Sequence, residues 1–136
     1  MLTNFTGYLA SLATFVAADM VWLGTMAPRF YRPTLGDIAI SGVNLSPAII
    51  FYVVYPIGLL IFAIHPSLKS ESMMAAVVYG ALFGFFTYAT YDLTNHATLR
   101  NWTLQLTIID VTWGTLLGAI ASAAGFWAAS KVTGAA

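Results

Sequence analysis

The sequence predicts an all-α protein, an integral membrane bundle of four transmembrane helices. Two observations carry that prediction. Hydrophobic residues fill 60% of the 136 positions and charged ones only 7%, where a soluble domain carries about 25% charged residues and needs them to cover its surface. The apolar residues also fall into four runs, each close to the ~20 residues that cross a hydrocarbon core ~30 Å thick. A buried all-helical core of a soluble domain is the rival reading, but four such runs in so short a chain speak against it.

The first run, Phe5 to Ala27, is broken only by Asp19. It lacks a basic leading region, and its apolar stretch continues past Ala17–Ala18, so it is read as a mature helix and not a cleaved signal. Pro28 to Asn44 holds prolines, glycines and two arginines and reads as a loop, with room for a surface-lying piece. Pro47 to Ile64 is the second run, slightly short. "HPSLKSE" is a turn, Ser72 to Tyr91 the third run, "LTNHATLRNW" the last connection, and Leu104 to Ser130 a long fourth run. These lengths lie within what tilt and local thinning accommodate. Residues 1–136 thus form a single transmembrane domain with both termini on one side. Arg29, Arg32 and Arg100 lie on the opposite side and Lys69 and Lys131 on the terminal side. The positive-inside rule places the arginine loops in the cytoplasm, although so small a bias leaves dual topology open.

Helices in lipid associate by close backbone approach and interhelical hydrogen bonds. Ala76, Gly80 and Gly84 form a small-residue stripe on the third helix, and Gly114, Gly118 and Ser122 form one on the fourth, since residues at i and i+4 share a face. The stripes predict packing of these helices on each other or, through Gly80/Gly84 or Gly114/Gly118, on a second copy in a homo-oligomer. Extended, the third-helix stripe reaches Tyr88, Asp92 and His96, and the fourth steps back to Asp110. Asp19, Asp110 and Tyr55 each lie about two turns from the same membrane face, where Asp92, Asn95, His96 and Arg100 also fall. An aspartate at a helix centre costs about 2.5–3.5 kcal/mol on insertion scales and marks function by default. The bland alternative is interhelical glue, with Arg100 neutralising Asp92.

A short motif repeats. "DMVW", Asp19 to Trp22, returns as "DVTW", Asp110 to Trp113, each followed by a glycine, Gly24 or Gly114, and the two copies run in opposite directions. At i and i+3 each Asp and Trp share a face, and an indole N–H can donate to a carboxylate while its ring walls a cavity. Trp102 suits the other common role of tryptophan, interfacial anchoring.

"DMVWLG", "YPIG", "TYDLTNHATLRNW" and "DVTWG", in this order over nearly the whole chain, resemble the small membrane proteins catalogued as domain of unknown function 2177. The resemblance implies a four-helix, multi-pass protein of the bacterial inner membrane and brings no activity with it. By that pattern the motif positions are Asp19, Trp22, Gly24, Tyr55, Pro56, Gly58, Asp92, Thr94, Asn95, Thr98, Trp102, Asp110, Trp113 and Gly114.

Several chemistries are excluded. Without cysteine there is no disulfide, thiol catalysis or cysteine-ligated metal. Net charge is zero, so no basic patch offers itself to nucleic acid. His65 and His96 lie at opposite faces and cannot bracket one haem, and no His cluster has metal-ligand spacing. No lysine lies inside a span for a Schiff base, and no phosphate loop or serine elbow is present. No cofactor or metal is implied.

Three functions remain. The first is binding or acid–base chemistry on a lipidic or lipophilic small molecule in a one-sided intramembrane pocket. Asp19 and Asp110 would be the acid and base, Asp92, Asn95 and His96 would orient a polar headgroup, and Arg100 would meet an anion. Trp22, Tyr55 and Trp113 would wall the apolar part. The second is a proton- or cation-coupled transporter acting as an oligomer. The third is an accessory subunit whose polar cluster only fixes helix register. All the polar positions lie in one half of the bundle, which favours a one-sided site over a pathway.

Overall fold

A computed structural model describes residues 1–134. Four helices are long and apolar enough to cross a membrane: α1 (Leu2–Ile38), α2 (Leu45–Lys69), α3 (Met73–Thr98) and α4 (Leu104–Thr133). No strand occurs among the described residues. The helices outrun the apolar stretches. Most of the segment read as a loop after Ala27 is helical, continuing α1 through a π-helical turn at Ala27–Tyr31, an α-helical turn at Arg32–Leu35 and a 3₁₀ turn at Gly36–Ile38. Pro28 and Pro33 each fall in the first two residues of their turns, where a missing N–H costs little. The helix gives way at Gly36, whose φ of 56° suits a residue without a Cβ.

The second helix also continues past its apolar run, through a π-helical turn at Leu60–Ile64 into His65–Lys69. Pro56 sits inside it and cannot donate to the carbonyl four residues back. The helix α3 starts at Ser72, whose side chain accepts from the Ala75 amide at 3.1 Å, and α4 at Thr103, which accepts likewise from Leu106 at 3.1 Å. Each cap satisfies an otherwise orphaned N–H. Because α3 persists to Thr98, Asp92 and His96 lie on one helix, one turn apart.

Successive helices run antiparallel. The most extensive packing joins α3 to α4, then α1 to α4. At the first crossing a Cβ on Gly80 would strike the Gly118 carbonyl and Ser122, one on Gly84 the Gly114 carbonyl, and one on Gly118 the Gly80 carbonyl. The Ser122 hydroxyl donates across to the Ala76 carbonyl. The small-residue stripes thus pack on each other within one chain, the first of the two arrangements expected for them. Toward the terminal side Gly7 of α1 nests against Gly125 and Ala129 of α4 and Ile64 of α2. Ile64, Leu117 and Ala121 are fully buried, so this half of the bundle is filled by side chains. Val21, Ile50, Phe86, Leu116 and Ile120 face outward, as a surface against lipid requires.

The other half is less closely packed. The helices α2 and α3 meet mainly along Leu60–Lys69, while the Leu45–Leu59 part of α2 leans on α1. Around the ring α1–α4–α3–α2 the seam between Leu45–Leu59 and α3 is less closely packed than those of α4 with α1 and α3. A cleft between α2 and α3 is left at the arginine-loop end.

Candidate functional site

The two D-x-x-W motifs interlock at that end. Asp19 on α1 is nearly buried, at 5% exposure, and accepts two hydrogen bonds. One comes from the Trp113 indole of the other motif at 3.0 Å, the second from the Tyr52 hydroxyl of α2 at 2.6 Å. Asp110 on α4 accepts from the Tyr31 hydroxyl, and Tyr31 in turn accepts from the Trp22 indole at 3.0 Å. Each tryptophan thus serves the aspartate of the opposite motif, Trp113 directly and Trp22 through Tyr31. Between them the Trp22 and Trp113 rings lie face to face, 4.4 Å apart and 3° from parallel. Antiparallel helices bring this about: when α1 and α4 cross, position i of one faces position i+3 of the other.

A cavity of about 540 Å³ opens beside this pair. The helix α1 lends it Asp19, Trp22 and Leu23, and α4 lends Asp110 and Trp113. Pro47, Phe51 and Tyr55 of α2 face Thr87, Tyr88 and Tyr91 of α3 across the cleft. The Tyr55 ring is fixed by stacking on Phe15 at 4.6 Å, and its hydroxyl lies 3.3 Å from Thr87 Oγ1. The Tyr88 ring lies against Gly114, where a Cβ would collide with it, so the stripe glycine also makes room for the wall of the cavity. Outside, an apolar groove of about 590 Å³ follows α3 and Phe62 of α2 through Tyr79, Leu82, Phe83, Phe86 and Thr90. Thr87 lines both spaces.

Asp92 is the anomaly. It is 0% exposed, and neither carboxyl oxygen has a hydrogen-bond partner. Its side chain lies within reach of the Asp110 carboxyl.

Of the residues singled out from sequence, Asp19, Trp22, Tyr55, Asp110 and Trp113 meet at the cavity, with Asp92 behind Asp110. Asn95 and His96 are half-buried and do not line it. Arg100 is elsewhere: 77% exposed, it pairs with Asp37 at 3.2 Å. The α3–α4 connection is tied to the end of α1 there: beside Arg100 the Asn101 amide donates to the Leu35 carbonyl at 2.6 Å and to Asp37 at 2.9 Å. Arg100 therefore ties down the end of α1 and neutralises no carboxylate in the site. Trp102 is no exposed anchor either. It is 8% exposed, donates to Thr107 at 3.1 Å and meets Tyr91 edge-on at 5.6 Å.

Sequence reading missed Tyr31, Tyr52, Thr87 and Tyr91. Tyr52 had a signal, lying three residues before Tyr55 and so beside it on the helix. Tyr31 had none, because its segment read as a loop. Among the described residues no cluster of three or more His, Asp or Glu side chains could hold a metal ion.

Fold and composition define a multi-pass membrane protein built as a four-helix bundle. The chain belongs to the family described as predicted membrane protein (DUF2177), whose model matches residues 4–127 and so spans both D-x-x-W motifs. No curated protein and no solved structure matches the chain.

Proposed function

We propose that the protein binds a lipophilic small molecule whose polar end enters the Asp19–Asp110 cavity from the bilayer, through the cleft between α2 and α3, and that the carboxylates act on it as acid and base. The observation that carries this reading is the cavity itself, about 540 Å³, within the ~300–1,000 Å³ usual for small-molecule sites. It couples two carboxylates to aromatic walls at an open seam. The two acids have different surroundings, the usual basis for dividing acid and base roles. Asp19 is held by two donors, while Asp110 accepts one, from Tyr31. The interior of the terminal half is filled by Ile64, Leu117 and Ala121, which supports a one-sided site over a transport pathway. By the arginine bias, the site belongs to the cytoplasmic half of a bacterial inner membrane.

Native mass spectrometry of the gently extracted protein tests the reading, with wild type beside Asp19→Asn and Asp110→Asn. A discrete lipophilic adduct on wild type, lost from either folded variant, is the expected result. Adduct-free spectra for all three, with one unchanged oligomeric state, would leave the cluster a structural role only.

A further inference from the structure

The chemistry of the cavity also narrows its ligand, given the reading above that a lipophilic molecule enters it. Asp19 and Asp110 line the cavity, and no lysine, arginine or histidine lines it with them. Of the loop arginines, Arg29 is exposed and the other two are engaged elsewhere. Arg100 sits on Asp37, and Arg32 donates to the Ile40 and Ser41 carbonyls. Lys69 and Lys131 end their helices on the terminal side. Three neutral donors beside the carboxylates are already used. The hydroxyl of Tyr52 and the indole of Trp113 are spent on Asp19, and the hydroxyl of Tyr31 on Asp110. Behind Asp110 lies the fully buried Asp92, with two oxygens that nothing donates to. An unpartnered acid in so dry a place has to be met by a proton or by a cation.

We propose that the polar end accepted by this site is a hydrogen-bond-donating cation, the ammonium group of a lipophilic amine, and not a phosphate or carboxylate. The ammonium has three donors and no acceptor, complementary to a wall of carboxylate oxygens. The stacked Trp22 and Trp113 and the rings of Tyr55 and Tyr88 offer aromatic surface to its alkyl-ammonium end. Its hydrocarbon chain leaves past Thr87 into the apolar groove along Phe83 and Phe86. A phosphate would instead meet two carboxylates with no counter-charge, and like-charge contacts of this kind are what suppress wrong partners.

The test is a panel of equal chain length, dodecylamine, dodecanol, dodecyl phosphate and dodecyl phosphoethanolamine, titrated into the full-length protein in a non-ionic detergent. Binding is read by native mass spectrometry and by the fluorescence of the tryptophans, two of which line the cavity. Dodecylamine is expected to bind at least about tenfold more tightly than dodecanol, with dodecyl phosphate weakest. Asp19→Asn and Asp110→Asn should each remove most of the amine's advantage and leave dodecanol unchanged. If a variant does not fold, the order of the panel on wild type still decides. Binding of dodecyl phosphoethanolamine as tight as dodecylamine points to an amine-headed bilayer lipid, and its failure to bind points to a free lipophilic amine. Dodecyl phosphate or dodecanol equal to the amine would overturn the proposal while leaving a lipophilic site intact. If no member of the panel binds, the site reading falls too.

Discussion

Tyr52→Phe and Trp113→Phe strip Asp19 of its two donors one at a time, and the pair of changes measures what holds this carboxylate in the bilayer. Interhelical hydrogen bonds within membranes average about 0.6 kcal/mol and reach about 1.7. The Tyr52 bond, at 2.6 Å to a carboxylate only 5% exposed, belongs at the upper end, so Tyr52→Phe should cost about 1.5 kcal/mol. Trp113→Phe removes a similar bond and also most of the stack on Trp22, worth about 0.5–1.5 kcal/mol, for a total of roughly 2–3 kcal/mol. The double variant leaves Asp19 buried and bare, and should exceed the sum of the singles by about 1 kcal/mol or more. Adding Asp19→Leu to the double variant should then recover at least about 2 kcal/mol, because the uncompensated group is gone. Reversible unfolding in mixed micelles, followed by far-UV circular dichroism, gives all five stabilities. Strict additivity together with no recovery on Asp19→Leu would refute the reasoning, since it would mean that Asp19 is wet or already neutralised by something other than these two donors.

Asp92→Asn should hold or raise stability by up to about 1 kcal/mol, because a neutral amide replaces a fully buried carboxyl whose oxygens have no donor; a loss above about 2 kcal/mol by the same unfolding assay would contradict the unpartnered geometry. Gly80→Val should push α3 off α4, since its Cβ meets the Gly118 backbone and Ser122, and the extracted protein should lose its sharp size-exclusion peak. Gly24→Val, at a glycine with open space around it, should leave that peak unchanged. Arg100→Ala should leave the native mass-spectrometric adduct as in wild type and cost no more than about 1 kcal/mol of stability, the ceiling for an exposed ion pair; loss of the adduct would return Arg100 to the site.

Which parts of this protein could be read in the chain follows from the range of the forces involved. The four apolar helices are local properties. A run of apolar side chains must enter lipid, and backbone in lipid must form helix. The stripes were legible for the same reason, because spacing four puts Gly80 and Gly84 on one face whatever lies opposite, although the sequence could not say whether that face meets Gly118 of the same chain or a second copy. Asp19 and Asp110 were legible as costly residues, and their D-x-x-W motifs as a repeat. The crossed pairing of the motifs was not, because Trp113 and Asp19 are 94 positions apart in the chain and meet only through the angle and register at which α1 and α4 pack. Tyr31 became part of the site because α1 does not stop at Pro28, and Arg100 left it because the α3–α4 connection is tied to Asp37 and Leu35 at the end of α1. Charge and composition settled that the chain lives in a membrane and what it buries there. The antiparallel packing alone determined which donor reaches which carboxylate, which carboxylate is left without one, and where the bundle stays open.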